Sequence, residues 1–267
     1  MIILARRALI VALIAIPGLL AIAGPLLACP AESRSRAFDP AAGPFGSDFA
    51  GRDLGRELLL GGAPIVITSV GATVLCYVLA VPLALTAAAA GRRRWIDELI
   101  MRPLDIVLAM PSLLLLILLA SIAPQSVIVL IGIVVVVLAP DATRVIRAAA
   151  LGPASGPAAE AMLLAGEPRW RRVGWFLGRS ALRTVAADAG VRFVGALYLV
   201  ASASFLGVGV DPDQSNWGVM IEQNRNGLLL QPLATLLPAC LITALAVGLN
   251  LAMDEWHTRT RVEETQT

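Results

Sequence analysis

Long runs without a charged residue constrain this chain more than any other feature. Residues 8–31, 58–91 and 106–140 carry none. A helix of about 20 apolar residues crosses the roughly 30 Å hydrocarbon core of a bilayer. Inside lipid the backbone must satisfy its own hydrogen bonds, so such runs fold as helices. Composition agrees: 58% of the 267 residues are hydrophobic and 15% charged, against about 45–50% and about 25% in soluble domains. The chain reads as an all-α, multi-pass membrane protein in contact with membrane lipid.

Turn chemistry and polar intervals divide the runs into six transmembrane helices. They are placed at residues 8–31, 67–90, 104–122, 127–145, 185–208 and 228–253, with residues 58–64 as an interfacial segment. Pro124, Gln125 and Ser126 make the turn between the third and fourth. The domain plan is an N-terminal helix (1–31), an outer loop with its interfacial segment (32–64), a transmembrane domain (65–254) containing a polar loop (146–183), and a tail (255–267). Six spans put both termini on one side. Fifteen of the 21 Arg lie on that side, five opposite, and Arg192 within a span. The positive-inside rule then makes the termini and central loop cytoplasmic.

Several chemistries are excluded. All 21 basic residues are Arg. Without Lys there is no phosphate-binding loop of the Gly-rich Lys type and no Schiff base. His257, the single His, lies in the tail. Cys29, Cys76 and Cys240 fall in or beside apolar runs and read as small packing residues. No catalytic pair and no metal site assembles from this inventory. A net charge of +2 gives no reason to expect nucleic acid. Arg6 and Arg7, the first apolar run and Leu26-Leu27-Ala28-Cys29 also fit a lipoprotein signal ending in a lipidated Cys. The run is longer than the 7–15 residues of a signal core, so a retained first span is the reading adopted.

Charged residues also suggest local pairings. Asp188 and Arg192 are four apart at the start of the fifth span, where an unpaired charge costs about 3 kcal/mol or more. Arg102 and Asp105 are spaced to pair on one helix face. Asp48, Arg52 and Asp53 form a candidate cluster fixing the outer loop. Trp217 reads as an interfacial anchor, after a turn at Asp211-Pro212-Asp213.

The polar loop holds a short helical signature. Gly156 and Pro157 open it, with Pro at the favoured first position. Glu160 sits in the first turn, where its charge suits the helix dipole. Ala161, Met162, Leu163, Leu164 and Ala165 follow. Gly166 can close the helix in the left-handed conformation, and Pro168 blocks its continuation. Seven Arg surround this element, among them Arg171 and Arg172. A short capped helix with an apolar side, projecting from a membrane domain, is a docking element.

Four motifs in register resemble one family. Residues 45–53 read FGSDFAGRD, similar to the F-G-T-D-x-x-G-R-D motif of the C-type permease subunit of dipeptide, oligopeptide and nickel ABC importers. Phe45, Gly46, Asp48, Gly51, Arg52 and Asp53 carry that match. Arg144 and Arg147 resemble its A-R-x-x-R. Residues 204–209, SFLGVG, followed by Trp217, Gly218, Val219 and Met220, resemble S-F-L-G-L-G…W-G-x-M. Asn250 and Asp254 resemble N-L-x-G-D. The resemblance spans about residues 45–256. It implies a type I ABC importer permease fold in a bacterial inner membrane. It also implies a second homologous permease, two ATP-binding subunits that carry the ATP and Mg2+, and an extracytoplasmic solute-binding protein, with peptides as cargo. Glu160, Ala161, Met162 and Gly166 then correspond to the E-A-A…G coupling loop. The match has gaps: the family's H-x-L-P-N falls on Phe176–Ser180 without its Pro, Glu57 and Ala63 stand where Arg is common, and Val200 replaces a Glu. Other readings of the same residues are an ATP-independent carrier or channel, a membrane-anchored scaffold, and a decayed permease.

Overall fold

The computed structural model describes residues 2–28, 34–91, 93–211 and 213–265, and side chains within 2–4 and 257–265 lie outside that description. Nine α-helices are described: α1 (Ile2–Leu27), α2 (Leu54–Ala88), α3 (Arg94–Leu108), α4 (Ser112–Ile122), α5 (Val127–Ser155), α6 (Pro157–Leu164), α7 (Gly178–Phe205), α8 (Trp217–Asn224) and α9 (Leu233–Thr265). Among the described residues there is no strand, only two isolated bridges, Arg34 with Arg52 and Ser47 with Asp53. Cys29 lies outside the described residues.

Helices α2, α5 and α7 form the centre. α2 packs along α5, and α7 lies against both, while α1 and α9 pack together on the outside of α2. Small residues let α2 and α5 approach closely: Ala72, Cys76, Ala80 and Ala84 on α2, and Ala139, Ala142 and Ala150 on α5, are all buried. Lipid offers no hydrophobic drive between helices, so close packing of small side chains supplies much of the association. Arg7 of α1 pairs with Glu255 of α9 at 2.8 Å, tying the two outer helices.

Five helical stretches are long and apolar enough to cross a bilayer: Ala5–Leu27, Leu54–Ala88, Val127–Ser155, Trp170–Phe205 and Leu233–Trp256. A sixth candidate is a bent pair, which crosses only if its two helices together make one span. The third span, expected as one helix over residues 104–122, is instead α3 and α4, inclined by 93° across the break at Ala109, Met110 and Pro111. Pro111 lacks an N–H and biases Met110 away from the helical region. α4 has 11 residues, about 16 Å of helix, which is half a bilayer core. α3 lies across α5 through a two-pronged Arg147–Asp97 pair, with Nε at 2.6 Å, and a longer Arg144–Asp105 contact at 3.5 Å. Arg102 therefore does not pair with Asp105. It donates to Glu98 at 2.8 Å on the exposed face.

Other boundaries move as well. Residues 58–64 are the early turns of α2 and not a separate segment, because Asp53 caps a helix that runs uninterrupted through Pro64. α5 extends ten residues past the expected end at 145. The fifth span starts earlier than 185, because a π-helical stretch, Trp170–Leu177, leads directly into α7. α9 starts at Leu233 and its backbone stays helical to Thr265, through most of the expected tail.

Candidate functional site

Three constellations carry the polar chemistry. The first is the loop between α5 and α7. α6 runs Pro157–Leu164 with Pro in its first turn, and Gly166 takes φ +71°. The Gly166 N–H donates to the Leu163 carbonyl at 3.1 Å, and the Glu167 N–H to the Met162 carbonyl at 3.0 Å. These are the two bonds of a Schellman closure, which satisfies carbonyls at the helix end. Any residue with a Cβ would be strained at that φ. The next helical stretch begins at once, since the Arg171 N–H donates to the Pro168 carbonyl at 3.0 Å. No residue of α6 is buried. Leu163 is 60% and Leu164 88% exposed. Glu160 and Ala161 are exposed and Met162 half-buried. Arg171 pairs with Glu167 at 2.8 Å and lies over the Trp170 ring, whereas Arg172 has a buried Nε without a hydrogen-bond partner. Behind α6, a cavity of about 520 Å3 opens between the ends of α2 and α5, the start of α3 and the π-helical stretch.

The second constellation is the motif of residues 45–53, expected on the outer side. Asp48 is 1% exposed. Its Oδ1 accepts from the N–H groups of Ala50 (2.9 Å) and Arg52 (2.8 Å), and Oδ2 accepts from Arg52 Nε at 2.7 Å. Gly51, at φ +77°, makes the turn, and a Cβ there would overlap the Ser35 carbonyl. Asp53 does not join this pair. Its carboxylate instead accepts from Gly55 and Arg56 N–H, capping α2. Gly46 accepts from the Leu54 N–H at 3.1 Å, and the Phe45 carbonyl accepts from Gln231 Nε2 at 2.5 Å. The Phe49 N–H donates to Asn224 Oδ1 at 2.9 Å, fastening the motif to the end of α8.

Trp217 departs from the interfacial reading, being fully buried. Its Nε1–H donates to the Leu58 carbonyl at 2.9 Å. Its ring lies so close over Gly61 and Gly62 of α2 that a Cβ at Gly62 would sit 2.5 Å from the indole. Asn216 caps α8 by accepting from the Gly218 N–H, Gly218 abuts Ser204 of α7, and Met220 is buried beside it. α8 is thus a wedge seated among α2, α7 and α9. Glu57, a departure from the family pattern, is equally buried and accepts from Ser215 Oγ at 2.5 Å, with Arg56 at 3.4 Å and Arg52 at 3.7 Å. Asp48 and Glu57 thus face Arg52 and Arg56 inside this unit. Beyond it, Gln214 and Asp213 donate back to Asp211, giving the expected turn, with Pro212 outside the described residues.

The third constellation lies between the central helices. Arg192 of α7 donates from Nε (3.0 Å) and Nη2 (2.8 Å) to Asp188, as the spacing predicts. It also donates from Nη1 to Asp141 of α5 at 2.7 Å, and Tyr77 of α2 donates to Asp188 at 2.6 Å. Asp141 and Tyr77 were not legible as partners, because no local spacing links them to Arg192. The partners Asn224, Ser215 and Gln231 were likewise invisible. Among the described residues no group of His, Cys, Asp and Glu is arranged to hold a metal ion. Cys76 is buried and Cys240 exposed, both as free thiols.

A bundle of bilayer-length helices, with an exposed short helix between two of its central members and a locked unit around residues 45–57 and α8, defines a polytopic membrane protein. The family comparison is specific: the chain belongs to the binding-protein-dependent transport system inner membrane component family, whose sequence model matches residues 80–259. It is 29% identical over 210 residues to the probable D,D-dipeptide transport system permease protein DdpC of Escherichia coli (strain K12), covering 79% of this chain and 70% of that protein. It is 31% identical over 211 residues to the probable peptide ABC transporter permease protein y4tQ of Sinorhizobium fredii, covering 79% and 71%. A putative peptide transport system permease protein of Brucella suis biovar 1 is 30% identical over 211 residues, covering 79% and 70%.

Proposed function

We propose that this chain is the permease subunit of an ATP-driven importer of di- or oligopeptides, forming half of a translocation pathway with a second, similar permease. Two ATP-binding subunits dock on α6, through Glu160, Ala161, Met162 and Gly166 with Arg171 and Arg172 at its exit. ATP and Mg2+ belong to those subunits, and this chain performs no chemistry of its own. A solute-binding protein delivers cargo at the face formed by residues 45–53 and α8. Both termini and the α5–α7 loop are cytoplasmic, in keeping with the 15 to 5 partition of Arg. The observation that carries this reading is α6 itself: opened by Pro157, closed at Gly166, uncovered, and joined to α5 at Gly156 and to α7 through the π-helical stretch. Force on α6 reaches two central helices with little slack between. Nucleotide can bias inward and outward states only through contacts that differ between them, and α6 is placed to make such contacts. Peptide as cargo follows from the relatives named above.

The test is transport in proteoliposomes containing the complete complex, with ATP enclosed and peptide supplied with the binding protein. ATP-dependent peptide accumulation is expected. Accumulation that persists without nucleotide would favour a carrier. ATP-dependent uptake of another solute, with none of peptide, would correct the cargo alone.

A further inference from the structure

The cavity behind α6 has an unusual charge. Three Arg line it, Arg93, Arg169 and Arg172, against one acidic residue, Glu160. None of the three Arg has an ion-pair partner among the described residues. The Nε of Arg172 is buried with nothing to accept its hydrogen. A buried donor left unpaired is costly and signals a missing acceptor. The floor is apolar, built from Ala154, Val173 and Phe176 among others. Exposed indoles stand next in sequence to lining residues: Trp95 before Ile96, Trp170 after Arg169 and Trp175 before Phe176, with Arg179 over the Trp175 ring. Trp at this position is the signature of a helix boundary held in the headgroup layer. The π-helical winding matters here, since about 4.4 residues per turn brings Trp170 and Trp175 nearer to one face than an α-helix would.

We propose that this cavity is a binding site for an anionic phospholipid of the cytoplasmic leaflet. Arg93, Arg169 and Arg172 hold the headgroup phosphate, and the floor takes the upper part of the acyl chains. The combination selects the occupant: a phosphate satisfies the guanidiniums as a bidentate acceptor, and an apolar floor at a membrane boundary suits a chain that a free anion lacks. The cavity touches α2, α3, α5, α6 and the π-helical stretch, so a lipid there would set the position of α6 relative to the bundle. The inference rests on the cytoplasmic placement of the α5–α7 loop proposed above.

The experiment uses the complete complex. Wild type, R93Q/R169Q and the control R102Q are purified, and retained lipid is counted by mass spectrometry. Each is then placed in nanodiscs of phosphatidylcholine alone or with phosphatidylglycerol added, and thermal midpoints are read. Wild type and R102Q should retain phosphatidylglycerol in preference to phosphatidylcholine and be stabilised by it. R93Q/R169Q should lose roughly tenfold or more of that retention. Equal loss in R102Q would reduce the effect to bulk surface charge and overturn the site. Stabilisation of wild type by inorganic phosphate in phosphatidylcholine nanodiscs would identify a free anion and overturn the lipid assignment. Unchanged lipid in R93Q/R169Q with a salt-labile ATPase would assign the guanidiniums to an acidic protein surface instead. If R93Q/R169Q does not assemble, wild type decides alone, and no preference for phosphatidylglycerol overturns the proposal. A missing ATPase in the wild-type preparation would fail the importer reading without touching the lipid count. Protease access to the α5–α7 loop from the outer side would overturn the orientation and, with it, the cytoplasmic leaflet assigned to this site.

Discussion

The two ends of this molecule use their motif residues in opposite ways. At the end proposed to face outward, Asp48, Glu57, Trp217 and Asn224 are each at most 1% exposed. Their hydrogen bonds are directed at one another, at neighbouring backbone, and across long sequence distances. At the other end, every residue of α6 is at least partly exposed, and none of its side chains takes part in a cap hydrogen bond. The difference separates two meanings of a motif. The outer one specifies internal architecture: a loop, a cap and a wedge that fit each other. The inner one specifies a surface, held in shape by its caps and completed by something outside the chain.

That contrast predicts a gradient of stability effects. Trp217→Ala should be the most damaging, because it empties the space over Gly61 and Gly62 and leaves the Leu58 carbonyl without its indole donor. Truncating a buried aromatic costs about 3–5 kcal/mol, so a large fall in the thermal midpoint of the purified chain is expected. A midpoint within error of wild type would mean that α8 is not seated as described. Next comes Arg192→Met, which strands the nearly buried Asp188 carboxylate and takes the partner from the exposed Asp141. Breaking such a pair costs about 3 kcal/mol or more, and pairing it with Asp188→Asn should recover part of the loss. Recovery of nothing would indicate that Arg192 matters for a reason other than its carboxylates. Asp53→Ala removes only a cap and should cost about 1 kcal/mol, read in the same unfolding assay. An effect as large as that of Trp217→Ala would place Asp53 in the buried unit after all.

Legibility in the sequence follows the same divide. The α6 signature was readable because capping is local: Pro157 at the first position and Gly166 past the last act within a few residues. The Asp188–Arg192 pair was readable for the same reason, being one helical turn. Trp217 was misread because its burial depends on two glycines far away in the chain, and no spacing within residues 211–220 announces them. Asp141 was passed over because it sits at the margin of an uncharged run and its partner is on another helix. The third span failed differently. Charge-free length was taken as continuity, while Met110-Pro111 carried the local signal for a break. The cavity lined by Arg93 and Arg169 could not be anticipated at all, since it forms where five separate elements converge.

The smallest predicted change in stability carries the most information. Leu164 is 88% exposed at the end of α6, so Leu164→Asp should alter the stability of the chain by less than about 0.5 kcal/mol. If α6 is the ATPase docking surface, the same substitution removes its apolar contact. The direct measurement is co-purification from native membranes in mild detergent, wild type beside Leu164→Asp. The account predicts a second permease with both chains, and an ATPase with the wild type only. An ATPase bound equally well by Leu164→Asp, or absent from the wild type, would contradict it.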